Sequence, residues 1–208
     1  MVMLEVLLMS LHEYRVLLMA ITGILVLLIA SPALSRLLVF PRTEYFTELW
    51  VLDLNHKAEN YPFNVTRNHS YNVFLGIGNH LGHCAYNLIE VKFRNQTQSA
   101  PNSLNRTYSS VPALYNITAF VEDEGTWELP LGFSFEYYYS EMFSCVKLSN
   151  LTLNGVNLDL NNYAIKWDSG KKVFLGNLFF ELWIYNSTLG SFQYHERSVG
   201  LWFNMTTF

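Results

Sequence analysis

The chain predicts a mainly β protein: an N-terminal transmembrane helix followed by an antiparallel, immunoglobulin-like β-sandwich. Three observations carry that expectation. An uncharged apolar run, Val16 to Ser35, stands between Arg15 and Arg36. From Pro41 onward apolar residues alternate in short stretches parted by Asn- and Gly-bearing turns, with no sustained helical period. Aromatic residues, at 16%, outnumber charged ones at 14%, a balance too apolar for disorder and suited to a β-rich core.

The apolar run is twenty residues long. At about 1.5 Å rise per residue it spans roughly the 30 Å of a bilayer's hydrocarbon core. It shows no polar stripe of the kind a helix packed in a soluble core displays. With Leu37 to Phe40 extending it, residues 16–40 form the expected transmembrane helix, in contact with membrane lipid. Residues 1–15 are a cytoplasmic or interfacial segment, with Leu4, Leu7, Leu8 and Leu11 at helical spacing. The alternative is a signal peptide cut after Ala33 and Ser35. A long leader with Glu5, Glu13 and a single Arg favours an uncleaved anchor.

The remaining residues, 41–208, suffice for one outer domain. Thr47 to Leu54 reads as a strand, and His56 to Asn68 as a loop. Tyr71 to Ile77 and Asn87 to Phe93 alternate cleanly and read as a hairpin turned by Asn79 to Gly82. Gln96 to Pro112 has no apolar period and reads as an exposed loop. Ile117 to Glu122 and Thr126 to Phe135 read as a second hairpin around Asp123-Glu124-Gly125. Val146 to Leu153 and Val156 to Leu160 flank Asn154-Gly155, the strongest hairpin signal in the chain. Leu178 to Tyr185 is a strand and Asn186 to Arg197 a turn region. A last strand points Val199, Leu201, Phe203 and Met205 inward. Seven to nine such strands imply two packed antiparallel sheets.

Orientation follows from eight Asn-x-Ser/Thr triplets, beginning at Asn64, Asn68, Asn95, Asn105, Asn116, Asn150, Asn186 and Asn204. Nineteen Asn residues, with Ser and Thr about an eighth of the chain, give two or three by chance. All eight follow the apolar run, so the large C-terminal domain is expected outside the cell, N-glycosylated on a surface. An outer compartment permits oxidation, and Cys84 and Cys145 form a candidate disulfide closing a loop of about sixty residues. Two small buried thiols are the alternative.

Catalytic chemistry is not evident. There is no Gly-x-Ser-x-Gly, His-Glu-x-x-His or phosphate-cradling Gly loop. His80, His83 and Cys84 fall on a tight turn without a fourth ligand, and Glu122 to Glu124 read as a solvated hairpin tip, so no metal or cofactor is expected. A net charge of −4 without a basic block argues against nucleic acid. One long stretch without a triplet, Ile117 to Ser149, holds Trp127, Tyr137, Tyr138, Tyr139 and Phe143, the candidate partner surface. Trp183, Tyr185, Phe192 and Tyr194 form a second aromatic cluster.

The run from Phe46 to Phe93, with Tyr61-Pro62, Ile77, Asn79-His80 and Tyr86 to Val91, resembles an archaeal membrane-protein family known as domain of unknown function 1616. Phe180-Glu181-Leu182-Trp183 and Leu201-Trp202-Phe203 are similar to that family's ending, while the stretch from Gln96 to Lys172 matches it less. Members carry several spans before this domain, where this chain has room for one. The resemblance implies an archaeal outer β-sandwich and supplies no catalytic motif. The resulting expectation is a single-pass cell-surface protein, not an enzyme, with a structural, adhesive or interaction role toward other envelope proteins or glycans. A carbohydrate- or solute-binding surface protein, or an envelope enzyme, is the alternative.

Overall fold

A computed structural model describes residues 14–37, 44–102 and 104–206. The expected N-terminal segment 1–15, apart from its last two residues, and the stretch 38–43 around Pro41 therefore lie outside the described residues. Contacts divide the chain into two units, 1–44 and 45–208.

The first unit contains helix α1, Arg15–Leu37. Its 23 residues make a rod of about 34 Å. Between Arg15 and Pro32 the mean hydropathy is 2.1 and none of the stretch is buried. Thr22 hides its one hydroxyl by donating to the Leu18 carbonyl at 2.7 Å. Among the described residues α1 is the one helix long and apolar enough to cross a membrane. A signal sequence has the same length and composition.

The second unit is a sandwich of two five-stranded sheets. One sheet has the order β1 (Phe46–Leu52), β3 (Tyr71–His80), β6 (Gly125–Ser140), β7 (Cys145–Leu153), β8 (Val156–Lys166). The other has the order β2 (Asn64–Val65), β10 (Ser191–Met205), β9 (Leu175–Asn186), β4 (Ala85–Asn95), β5 (Tyr115–Val121). Every neighbouring pair is antiparallel except β2 with β10, which run parallel with Asn64 opposite Asn204.

Period-2 patterning builds the core. Val73, Leu75 and Ile77 of β3 and Leu131, Phe133 and Phe135 of β6 face Ile89, Val91 and Phe93 of β4 and Leu178, Phe180 and Leu182 of β9. Phe133, Phe135 and Phe203 pack at ring distances of 5.2 to 5.7 Å. Burying side chains of this size contributes about 1.5–3 kcal/mol each.

Two expected hairpins are not hairpins. β3 pairs with β1 and β6, while β4 pairs with β5 and β9, so the turn after His80 carries the chain across the core. The 123–125 turn does the same between β5 and β6. Alternation specifies which face of a strand is buried but not which sheet holds it, and two strands facing across a core satisfy the same pattern. Asn79, fully buried, fastens both crossovers. Its amide nitrogen lies 2.8 to 3.2 Å from the carbonyls of His83, Val121 and Glu122, and its oxygen accepts from Leu81 N–H.

The Asn154-Gly155 turn does join a hairpin, β7 to β8, with both residues at positive φ (47° and 83°), as a two-residue turn matching strand twist requires. The region expected as a turn after Asn186 is mostly strand. The chain reverses over 187–190, and β10 starts at Ser191 because Phe192 and Tyr194 pair with Tyr185 and Trp183. A bulge between Tyr194 and Arg197 then restores the inward set Leu201, Phe203 and Met205.

Candidate interaction surface

The aromatic residues proposed from the sequence as a partner surface separate in the structure. Tyr137 is 3% exposed and belongs to the core. Its hydroxyl lies 2.8 and 2.7 Å from the carbonyls of Val65 and Thr206, tying β6 to the β2–β10 edge. Burial pushes its pKa up. Trp127 points inward and packs against the same core. Tyr138, Tyr139 and Phe143 are exposed, the last on a 3₁₀ turn, Glu141–Phe143. Tyr139 leans on Phe174 and Phe143 lies under the Lys147 ammonium at 4.4 Å. Sequon-free spacing along the chain did not mark one surface, because the stretch passes from one sheet to the other.

A continuous surface forms instead on the outer face of the β2–β10–β9–β4–β5 sheet. Register places Phe120 opposite Tyr86 and Tyr185 opposite Phe192. Tyr86 and Tyr185 lie together on adjacent strands with rings 6.1 Å apart. The result is one row of four rings across β5, β4, β9 and β10. Tyr86 stacks on Phe120 at 4.2 Å and 11°, and Phe192 approaches Tyr86 and Tyr185 at 5.1 and 5.4 Å. Phe120 is 71% exposed and Tyr185 41%.

Beyond this row the expected loop, Gln96 to Pro112, is largely exposed among its described residues but is anchored to the outer face at Ser109 and Val111, both buried. A charged cluster buried there explains the anchoring. Lys92 Nζ lies 2.6 Å from Glu181 Oε2 and 2.8 Å from Glu90 Oε2. The other Glu181 oxygen accepts from Ser109 N–H at 2.7 Å, and the Lys92 ammonium also donates to the Ser109 carbonyl at 3.3 Å. Tyr108 rests against Trp183 at 5.0 Å. Nearer the far end Arg94 donates to Asn177 and to the Gln98 carbonyl, at 2.9 Å each, and lies over the Trp202 ring at 4.8 Å. Burial lowers the pKa of Arg94.

The eight sequon asparagines are all at least partly accessible. Asn64, Asn68, Asn105, Asn116 and Asn186 are exposed, and Asn95, Asn150 and Asn204 half-buried. The half-buried ones have engaged amides: Asn150 donates to Glu136 at 2.7 Å and Asn204 to Asn64 at 2.9 Å, while Asn95 accepts from Thr97.

The cysteines are not bridged; both are free, Cys84 exposed and Cys145 buried. Cys84 stands beside the start of β6, where Asn79 pairs with Gly125, and Cys145 pairs with Ser140 at its end. The 16-residue strand between them spans roughly 50 Å at about 3.3 Å per residue, against the 4.4–6.8 Å between Cα atoms that a bridge needs. His80 and the acidic turn are brought together for structure: His80 Nδ1 meets Glu124 at 2.8 Å and Gly82 N–H donates to Asp123 at 2.8 Å. Among the described residues no three His, Cys, Asp or Glu side chains converge as metal ligands.

Phe120 and Tyr86 were missed as site residues. The available signal was an aromatic at an outward position of each alternating strand; the register that aligns them is set by tertiary pairing.

The fold defines the class, a two-sheet β-sandwich preceded by an apolar helix. No protein-family model and no curated protein matches the chain. Among solved structures it is similar to a β-glucosidase from Listeria innocua in complex with glucose, at 10% identity and a TM-score of 0.38, covering 80% of this chain and 17% of that one. It is also similar to the ASH/PapD-like domain 7 of human CEP192, at 9% identity and a TM-score of 0.32, covering 82% and 93% of the two chains. The chain thus spans only 17% of the length of the bacterial enzyme, and similarity of this degree says nothing about activity.

Proposed function

We propose that this chain is a membrane-anchored, N-glycosylated cell-surface protein of an archaeal envelope. Its β-sandwich serves a structural, adhesive or protein-interaction role rather than a catalytic one. The reading rests on one conjunction. An apolar helix of membrane-spanning length precedes a sandwich in which all eight sequon asparagines follow the helix, and none of the eight is buried. Eight sequons with accessible asparagines are what an outward, sugar-bearing surface requires. The resemblance to domain of unknown function 1616 agrees with an outer sandwich on a membrane anchor.

In this reading α1 holds the chain in lipid and the sandwich stands among neighbouring envelope proteins or glycans. Protease added to intact cells of the native host tests it. The sandwich should be removed, leaving a small membrane-bound N-terminal fragment. A sandwich that survives on intact cells and is digested only after lysis would contradict the proposed topology.

A further inference from the structure

The aromatic row on the outer face is an apolar patch without a cover, and something on the same face is placed to cover it. Asn116, Thr118 and Phe120 occupy alternate positions of β5, opposite Ile117, Ala119 and Val121, which turn toward the core. Asn116 and Phe120 therefore project from the same side of the same strand. At about 3.3 Å per residue their Cα atoms are about 13 Å apart.

β5 is also the last strand of its sheet, so nothing in the sheet lies beyond the outer side of Phe120. Tyr86 stacks on one side of that ring, yet Phe120 remains 71% exposed. Toward the other end of the face, space on the sheet is taken up by Ser109 and Val111, which are buried there. A bulky group attached at Asn116 thus has these anchored residues on one side and the open aromatic row on the other.

We infer that the N-glycan on Asn116 lies along β5 with its inner sugars against Phe120 and the Tyr86–Tyr185–Phe192 row, as a permanent cover for that patch. The inference rests on the glycosylated reading above and assigns one glycan a place within it. Its chemistry fits. A pyranose ring has a face of C–H groups that packs on the electron-rich face of an aromatic ring, while its hydroxyls stay in water. The same sugars flank the unpaired backbone of β5, which otherwise offers an edge for strand addition. A second copy of the chain is a poorer occupant: it would have to approach between sequons at Asn116 and Asn186, both exposed.

The full chain, produced in membranes of a host that adds high-mannose glycans, provides the test. Occupancy at each sequon is read from peptide masses, and the rate of sugar release by an endoglycosidase is compared on the folded protein at Asn116 and at Asn105. Release at Asn116 should be up to about tenfold slower, the scale of one good ring contact. Phe120→Ser, at a position 71% exposed, should abolish the difference, with an unchanged melting temperature showing that the fold is kept. Equal rates at the two sites, or slow release at Asn116 that Phe120→Ser leaves unchanged, would overturn the inference alone. So would an unmodified Asn116 among modified sequons. Eight unmodified sequons would overturn the glycosylated reading and this inference with it.

Discussion

Lys92 and Glu181 meet at 2.6 Å on adjacent strands, with side chains 3% and 0% exposed, on what would otherwise be the outer face of the sandwich. The pair is covered by Ser109, whose N–H donates to Glu181 and whose carbonyl accepts from Lys92. Charges here select one position of a polar segment that has no apolar stripe of its own.

Breaking this pair from either side should therefore be costly. Glu181→Leu leaves the Lys92 ammonium buried with Glu90 alone, and Lys92→Met leaves Glu181 buried without its cation. Each single change should cost about 3–5 kcal/mol. The double variant should lose less than either sum implies, because no buried charge is stranded between the two. Denaturant melts of the four proteins measure the coupling. Additive losses would show that the two groups act separately.

Tyr137 and Tyr139 should respond oppositely to truncation. Tyr137→Ala removes a core ring and should cost about 3–5 kcal/mol, a melting shift on the order of 10 °C in a domain of this size. Tyr137→Phe loses only the hydroxyl's bonding and should cost about 1 kcal/mol. Tyr139→Ala, at an exposed position, should fall within about 0.5 kcal/mol of the parent. Thermal melts that rank Tyr139→Ala below Tyr137→Ala would contradict the assignment of Tyr137 to the core.

A pH dependence is expected from His195, beside the β10 bulge. Burial, followed by the neighbouring Arg197 charge, lowers its pKa from 6.5, with Glu196 opposing. The unfolded chain then binds a proton more readily than the folded one below that value. Stability from this site is complete above pH 6.5 and falls as pH drops from there through the folded pKa. His195→Gln should flatten that part of the stability profile. An unchanged slope in the variant would assign the loss to other groups.

How much of this was legible in the sequence depends on the residue. Ile89, Val91, Phe93, Leu201, Phe203 and Met205 were readable as core because alternation alone fixes the buried face. Asn154-Gly155 was readable because two positive φ angles demand such residues. The partner sheet of β3 and β4 was not, since the crossover depends on Asn79 reaching carbonyls of a turn more than forty residues away. Nor was the docking of Ser109 on Glu181, a contact across 72 residues between groups each unremarkable alone. Tyr137, read as surface for lack of a nearby sequon, had an inward place in the alternation of β6, from Leu131 through Phe133 and Phe135.

The central claim, that the sandwich stands outside the membrane, can be measured on the thiols. Cys84 is free and exposed, Cys145 free and 3% exposed. A membrane-impermeant maleimide applied to intact cells after mild reduction should label one cysteine per chain, Cys84, and a second only when the chain is then unfolded. Labelling of Cys84 that appears only once the cells are lysed would place the sandwich inside and contradict the account.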